Sequence, residues 1–124
     1  AVKTLVLIGT PHKVPKAAFA LQNVVFRLLP QSTFASMAFD KKNTFALGNS
    51  MRDLDFSSRV SAVQCPTLIL CGEKDRANIQ SARFLSQNIR GAQLQLIAQT
   101  GHVVNEENPD ALAKELNEFY APYS

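Results

Sequence analysis

The sequence predicts an α/β fold: a partial parallel sheet of about three strands with flanking helices and an inserted helical segment. Two continuous apolar runs, KTLVLIG (3–9) and PTLILCG (66–72), are typical of strands buried in a parallel sheet. The second run starts an order of strand, helix, strand and helix that continues to the end of the chain. At 124 residues and 46% hydrophobic content, the chain suffices for one modest core. We therefore expect a single, incomplete domain over 1–124.

The first half is predicted to hold a strand within 1–10 and a helical segment over 11–62. A helix is expected from Pro15 to Pro30, because proline is suited to a first helical turn and stops a helix later on. This helix is apolar on nearly every face, which favours packing over a role as the roof of a substrate site. Residues 31–60 predict short helices and turns, with SMRDLDFSSRV (50–60) as the strongest helical candidate.

The second half, 63–124, gives clearer signals. Apolar residues recur at helical spacing from Ile79 to Ile89, and Asn78 is placed to cap that helix. The run AQLQLIA (92–98) predicts a third strand, and Asn108 is expected to cap a last helix that begins with proline. The buried face of this last helix is predicted to consist of apolar residues three or four positions apart: Leu112, Leu116 and Phe119.

Asp75 and His102 follow neighbouring strands and are predicted to lie close together. The helix between them descends ~18 Å and the next strand climbs back ~20 Å, so both loops emerge at the carboxyl end of the sheet. An aspartate there accepts a hydrogen bond from one imidazole nitrogen and leaves the other free to take a proton from a nucleophile. The spacing alone leaves open that Asp75 is a turn residue and His102 a surface histidine.

Two motifs around this pair resemble the C-terminal part of α/β-hydrolase fold enzymes. The turn Gly72-Glu73-Lys74-Asp75 is similar to the Gly-x-x-Asp turn that carries the acid of this family after its seventh strand. Gly101 and His102, followed by Glu107 and Pro109, match its Gly-His-x-x-x-x-Glu-x-Pro stretch. The resemblance is close from 64 to 120 and looser before, where it extends over essentially the rest of the chain.

The resemblance implies a fold and a chemistry. It makes 1–10 the sixth strand, 11–62 a cap-like helical segment, and 63–124 the C-terminal α/β portion of the family. It also implies that Asp75 orients and stabilises His102, which acts first as general base and then as general acid. Such an enzyme acts on a small-molecule substrate and needs no cofactor.

The nucleophile that the resemblance implies is missing from the sequence. In this family it stands in a Gly-x-Ser-x-Gly elbow after the fifth strand, earlier in the chain, and this pattern occurs nowhere in the 124 residues. The nearest local match, LGNSMR, contains Ser50 but has Arg52 in place of the second glycine, with too few residues before the next strand for a crossover. The chain also lacks an initiator methionine. We therefore expect a C-terminal fragment of a probable serine esterase or related hydrolase, inactive by itself.

Two alternative functions stay open. One is a non-catalytic binding or assembly module derived from a hydrolase, and the other is a small self-contained hydrolase that uses Ser50. The long apolar edge of the first strand favours pairing with another chain, so a homodimer across this edge is predicted.

Four other polar side chains have weaker claims to a function. His12 follows the first strand and is predicted to be an exposed loop residue, with a place in a substrate pocket as the alternative. Asp53 and Asp55 are minor candidates for the acid, because some members of the family place it after the sixth strand. Glu107 is expected to favour the following helix through its dipole and to take no part in the chemistry.

Composition and charge argue against several other classes. The net charge of +3 comes from lysines and arginines scattered among apolar residues, which indicates a solvated surface and no nucleic-acid partner. No apolar run reaches the ~20 residues that cross a membrane. Cys65 and Cys71 lie ~20 Å apart in an extended strand, too far for a disulfide. We expect free thiols, no metal site and a cytoplasmic location.

Overall fold

A computed structural model describes residues 2–123, which form two compact units. One unit contains the residues up to His12 together with those from Phe56 onward, and the other extends from Lys13 to Asp55. The first unit contains the sheet, and the second is helical. The expectation of a single domain stays a prediction.

The elements follow the order that the sequence predicts, with one additional short helix, α5 (Val104–Glu107). In chain order they are β1 (Leu5–Ile8), α1 (Lys16–Leu28), α2 (Gln31–Ser36), α3 (Lys41–Met51), β2 (Thr67–Gly72), α4 (Ile79–Asn88), β3 (Gln93–Ile97), α5 (Val104–Glu107) and α6 (Pro109–Tyr120). Short 3₁₀ turns lie at Val60–Ala62 and Ala121–Tyr123.

The three strands form a parallel sheet in the order β1-β2-β3, as predicted. Every residue of β2 is buried, which agrees with its continuous apolar sequence. The prediction that β1 is also buried is wrong: it is half-buried, and Ile8 is 40% exposed. Among the described residues β1 pairs with β2 alone, so its other edge receives no cover from a neighbouring strand.

The two faces of the sheet are covered by different helices. Ile69 and Cys71 of β2 point to one face, where they pack with Leu85 of α4. Leu68 and Leu70 alternate with them and pack on the other face. The partners on that face come from the last part of the chain: Phe119 is buried as predicted, and Leu112 and Leu116 are half-buried. The sheet is thus a central layer, with α4 on one face and α6 on the other.

The sequence predicts the two helix starts in this unit with different success. The Asn108 side chain accepts a hydrogen bond from the Ala111 N–H at 3.3 Å and caps α6, with Pro109 as the first helical residue. The prediction that the Asn78 side chain caps α4 is wrong, because it makes no capping bond. Its amide contacts the carboxylate of Asp75 instead. The short helix α5, which follows His102, was not predicted.

The helical unit contains one confirmed and one incorrect helix prediction. The helix α1 lies between Pro15 and Pro30 as expected. The predicted helix over 50–60 is wrong, since α3 ends at Met51 and the chain then turns into a single antiparallel bridge between Lys13 and Asp55. The segment is rich in aspartate and serine, whose side chains compete with helical backbone bonds.

Candidate active site

The structure brings Asp75 and His102 together at the carboxyl end of the sheet. Asp75 lies three residues beyond β2, and His102 lies in the loop between β3 and α5. The Nδ1 atom of His102 is 2.8 Å from the Oδ2 atom of Asp75. The predicted juxtaposition is therefore present. The catalytic role of the two residues is a proposal.

A backbone hydrogen bond fastens the two loops that carry this pair. The Lys74 N–H donates to the carbonyl oxygen of Thr100 at 2.8 Å. Gly72 makes this approach possible, because a Cβ atom at that position would collide with the carbonyl oxygens of Thr100 and Gly101. The glycine of the Gly-x-x-Asp turn thus permits contact between the loop of Asp75 and the loop of His102.

The carboxylate of Asp75 is buried and fully engaged. The residue is 5% exposed, and its carboxylate accepts hydrogen bonds from the His102 ring and from both the backbone and the side chain of Asn78. Burial by itself raises the pKa of Asp75, but the hydrogen bonds from His102 and Asn78 and the charge of His102 outweigh it and hold the pKa below its usual value. Asp75 is therefore ionised at neutral pH.

The imidazole of His102 has one nitrogen engaged and the other available. Because an ionised carboxylate only accepts, the proton on the neutral ring belongs on Nδ1. The Nε2 atom then carries a lone pair, and it has no hydrogen-bond partner within residues 2–123. The side chain is 62% exposed. This arrangement allows His102 to accept a proton from a group outside the pair.

Gly9, which follows β1, gives the imidazole the room that it needs. Its φ of +55° lies in the left-handed region, and a Cβ atom there would be only 3.0 Å from Nδ1 and Cε1 of His102. All three strands thus contribute a residue to the site: Gly9, Asp75 and His102. The sequence indicated only that Gly9 ends a strand. Its neighbour in the structure, His102, lies more than ninety positions later in the chain.

Glu107 is also part of the support for His102. Its Oε2 atom accepts a hydrogen bond from the Gly101 N–H at 2.7 Å, so it fixes the residue directly before the histidine. The sequence predicted only a dipole effect of Glu107 on the following helix and did not predict its hydrogen bond with Gly101. The Gly-His-x-x-x-x-Glu-x-Pro spacing contained the signal, because α5 turns the chain back and returns Glu107 to Gly101.

Replacing Glu107 by alanine is expected to loosen this loop. The variant loses one charge-assisted hydrogen bond at an exposed site, which we expect to lower the free energy of unfolding by about 1 kcal/mol. Urea unfolding measures this change, and hydrogen exchange of the Gly101 amide should become faster. Glu106→Ala is the matched control, because Glu106 belongs to the same short helix and makes no such contact in the described part of the chain. Equal effects of the two variants would refute the role of Glu107.

Comparisons with known proteins place the architecture in a fold family. No family model matches the sequence. The enol-lactonase from Burkholderia xenovorans superposes with a TM-score of 0.82 at 18% identity, over 97% of this chain and 56% of that one. MGS-MChE2, an α/β-hydrolase enzyme from a sediment metagenome of the lagoon of Mar Chica, superposes with a TM-score of 0.72 at 20% identity, over 98% and 51%. The chain is part of an α/β-hydrolase fold.

A curated relative with similar sequence adds to this result. The monoacylglycerol lipase abhd6-A of Xenopus laevis is 28% identical over 108 residues, which are 86% of this chain and 30% of the lipase. The chain thus spans less than a third of this relative and just over half of the two solved structures. The predicted resemblance to the α/β-hydrolase fold is confirmed.

Within this α/β-hydrolase fold, Ser50 does not occupy a nucleophile elbow. Such an elbow is a sharp turn between a strand and a helix. Ser50 lies inside the helix α3, and its Oγ atom donates to the carbonyl oxygen of Leu47 at 2.6 Å. Asp53 is also unlike a catalytic acid, since it is exposed and forms an ion pair with Arg52 at 3.1 Å. Asp55 forms the backbone bridge with Lys13.

His12 is packed, and the prediction of an exposed loop histidine is wrong. Its Nδ1 atom is 2.8 Å from the Oγ atom of Ser81, and its ring stacks on Phe84 with a centroid separation of 4.1 Å. Sequence could not indicate these partners, which lie some seventy positions away on α4. His12 also lines an apolar cavity of about 380 Å³, the kind of position that the alternative prediction gave it. The cavity is lined further by Leu5, Leu7, Val60, Leu85 and Ile89.

The described residues contain neither a metal-binding cluster nor a membrane-spanning helix. No three His, Cys, Asp or Glu side chains between residues 2 and 123 gather closely enough to hold a metal ion. In the same part of the chain, none of the helices has both the length and the hydrophobicity that spanning a bilayer requires.

Proposed function

We propose that the full-length protein is a hydrolase of small ester substrates, in which Asp75 and His102 are the acid and the base of a catalytic triad. The observation that carries this proposal is the 2.8 Å contact between a buried, ionised carboxylate and an exposed imidazole. A lipase among the relatives and a lactonase among the similar structures favour an ester bond. The sequence motifs around Asp75 and His102 support the same assignment of the acid and the base.

The arrangement of Asp75 and His102 allows proton transfer in the direction that acyl transfer requires. A nucleophilic hydroxyl attacks the ester carbonyl and gives its proton to Nε2 of His102, and the imidazolium that forms is stabilised by Asp75. His102 then gives this proton to the departing alcohol, and an acyl-enzyme remains. In the second half-reaction, His102 takes a proton from water, whose oxygen attacks the acyl carbon, and returns it to the nucleophile. We propose that the nucleophile is contributed from outside these 124 residues, so that the chain by itself is inactive.

Hydrolysis of a short-chain nitrophenyl ester tests this function. We expect turnover by the full-length protein and none above the uncatalysed rate by the 124-residue chain, since loss of a nucleophile costs on the order of a millionfold in kcat. A fluorophosphonate probe should label the full-length protein outside this chain. A full-length protein without esterase activity would contradict the proposal. Activity in the chain that disappears in Ser50→Ala would instead support the self-contained hydrolase.

We propose, as a second function, that the isolated chain assembles through the edge of β1. Ile8 is 40% exposed, and β1 pairs with β2 alone in the region that the structure describes. We expect a twofold dimer in light scattering, because an unpaired strand edge binds another strand. Ile8→Lys should abolish the dimer, whereas Leu47→Lys, which places the same charge on the exposed face of α3, should retain it. A monomer at high concentration would refute this assembly.

We also propose a cytoplasmic location. Cys65 is half-buried and Cys71 is buried, and both are free thiols. Burial, together with the nearby charge of Asp75, raises the pKa of the Cys71 thiol and keeps it protonated and unreactive. Alkylation of protein taken directly from cells should modify both Cys65 and Cys71 after denaturation without reductant, and a disulfide at either residue would contradict the proposal.

A further inference from the structure

We propose that Asn78 is a positioning residue for the acid and base, which holds the Asp75 carboxylate so that the His102 ring keeps its proton on Nδ1. The inference rests on the proposed function for its catalytic meaning, but the contacts that carry it are present in this chain alone. Asn78 stands directly before α4 at the end of the turn that begins with Asp75.

The amide of Asn78 lies between the two oxygens of the carboxylate. Its Nδ2 atom is 3.1 Å from Oδ1 and 3.0 Å from Oδ2 of Asp75, and the Asn78 backbone N–H donates to Oδ1 at 3.3 Å. The same Nδ2 atom is 3.3 Å from Nδ1 of His102. The side chain therefore contacts both members of the pair, although sequence assigned it to the end of a helix.

Proton accounting fixes the direction of these bonds. A carboxylate offers about four lone pairs and no proton, and an Asn Nδ2 offers two protons and no lone pair. If the amide were flipped, its carbonyl oxygen would face two carboxylate oxygens. Asn78 therefore donates to Oδ1 and Oδ2, and its contact with His102 Nδ1 is not a second acceptor site, because that nitrogen carries the proton that it donates to Oδ2.

Each carboxylate oxygen thus receives two donors. Oδ1 accepts from the side chain and backbone of Asn78, and Oδ2 accepts from Asn78 and His102. These hydrogen bonds satisfy the carboxylate in one orientation, in which the imidazole N–H binds at Oδ2. Without the Asn78 amide, Oδ1 keeps only the Asn78 backbone N–H and Oδ2 keeps only His102, so the carboxylate is held less firmly in the orientation that fixes the exposed His102 ring. The Nε2 lone pair is the group that the proposed reaction uses, so Asn78 acts on the chemistry through Asp75 and His102.

A purely structural role for Asn78 makes a different prediction. If Asn78 served only as a residue suited to a helix start, Asn78→Ser would behave like the wild type, because serine is an equally good residue at such a position. The positioning role predicts that Asn78→Ser does not keep the wild-type tautomer of His102, since a hydroxyl is shorter than the amide and loses the contact that Nδ2 shares between both carboxylate oxygens. Asn78→Leu removes the donors and keeps a side chain of similar size.

Nitrogen-15 NMR of the 124-residue chain, above the pH at which the imidazole is protonated, separates these roles. We expect wild-type His102 to show the Nδ1–H tautomer alone, and both variants to show a second population with the proton on Nε2. The titration midpoint of the Asp75 carboxyl carbon should move upward in both variants, because donors to a carboxylate stabilise its charged form. Asn88→Leu is the control, since Asn88 lies in the same helix and donates to the carbonyl oxygen of Phe84 at 2.8 Å.

The outcomes separate this inference from the proposed function. A wild-type Nε2–H tautomer, or an unchanged tautomer and Asp75 midpoint in Asn78→Ser, would overturn the positioning role. If Asn78→Leu does not fold, Asn78→Ser decides the result. An inactive full-length protein whose chain gives the expected spectra would refute the hydrolase and leave the positioning role in place. In an active full-length protein, kcat of Asn78→Ser should fall at least tenfold with little change in KM.

Discussion

Replacing Asp75 by asparagine in the full-length protein is expected to reduce kcat by about 10⁴ while the fold is retained. An amide at this position cannot stabilise an imidazolium, and its N–H group favours the wrong tautomer of His102 by donating to Nδ1. The steady-state kinetics of ester hydrolysis measure the loss, and circular dichroism checks the fold. The large effect is expected because the 2.8 Å contact with His102 involves a carboxylate shielded from solvent.

Asp53→Asn is the matched control for this prediction. It makes the same chemical change at an exposed aspartate whose partner is Arg52. We expect kcat within a factor of two of the wild type, since exposed ion pairs contribute little. If Asp53→Asn lost activity and Asp75→Asn kept it, the acid would be misassigned, and the alternative acid that the sequence left open would replace Asp75.

The substitution Gly72→Ala is expected to lower the free energy of unfolding by about 3 kcal/mol, because overpacking against rigid groups displaces the backbone. A Cβ atom at Gly72 would meet the carbonyl oxygens of Thr100 and Gly101, which are main-chain atoms and cannot rotate away. Urea unfolding measures the change. Because the clash lies between the two loops, the amide resonances of Lys74 and His102 should shift together.

Gly48→Ala provides the comparison for this effect. Gly48 lies inside α3, and a Cβ atom there would be at an ordinary distance of 3.6 Å from the ring of Phe19. Removing a glycine from a helix interior should raise the free energy of unfolding by about 0.5 to 1 kcal/mol. A loss below 1 kcal/mol in Gly72→Ala would show that the two loops tolerate separation, which contradicts the packing described above.

The features that sequence predicted are those that depend on local patterns and chain lengths. The strand β2 was recognisable because it is buried on both faces and therefore continuously apolar. Asn108 and Pro109 mark a helix start with two local signals. The encounter of Asp75 and His102 followed from a helix and a strand of nearly equal length, which return the chain to the same edge of the sheet.

The features that sequence did not predict depend on side-chain geometry or on distant neighbours. Asn78 is suited equally to a helix start and to an amide contact, and only the position of Asp75 decides between them. His12 packs on Phe84, a neighbour that periodicity within one segment does not indicate. The burial of β1 depends on what lies along its edge, a question that its apolar composition does not answer.

If Asp75 and His102 are the acid and the base, as proposed, the bond between Lys74 and Thr100 makes them one preorganised unit. Their alignment is completed when the chain folds, so no reorganisation between them is needed when a substrate arrives. A shift of this edge of the sheet would carry the carboxylate and the imidazole together toward or away from a bound ester. In the proposed hydrolase, substitutions in the surrounding loops would therefore re-aim the pair at differently shaped substrates without disturbing the match between its two members.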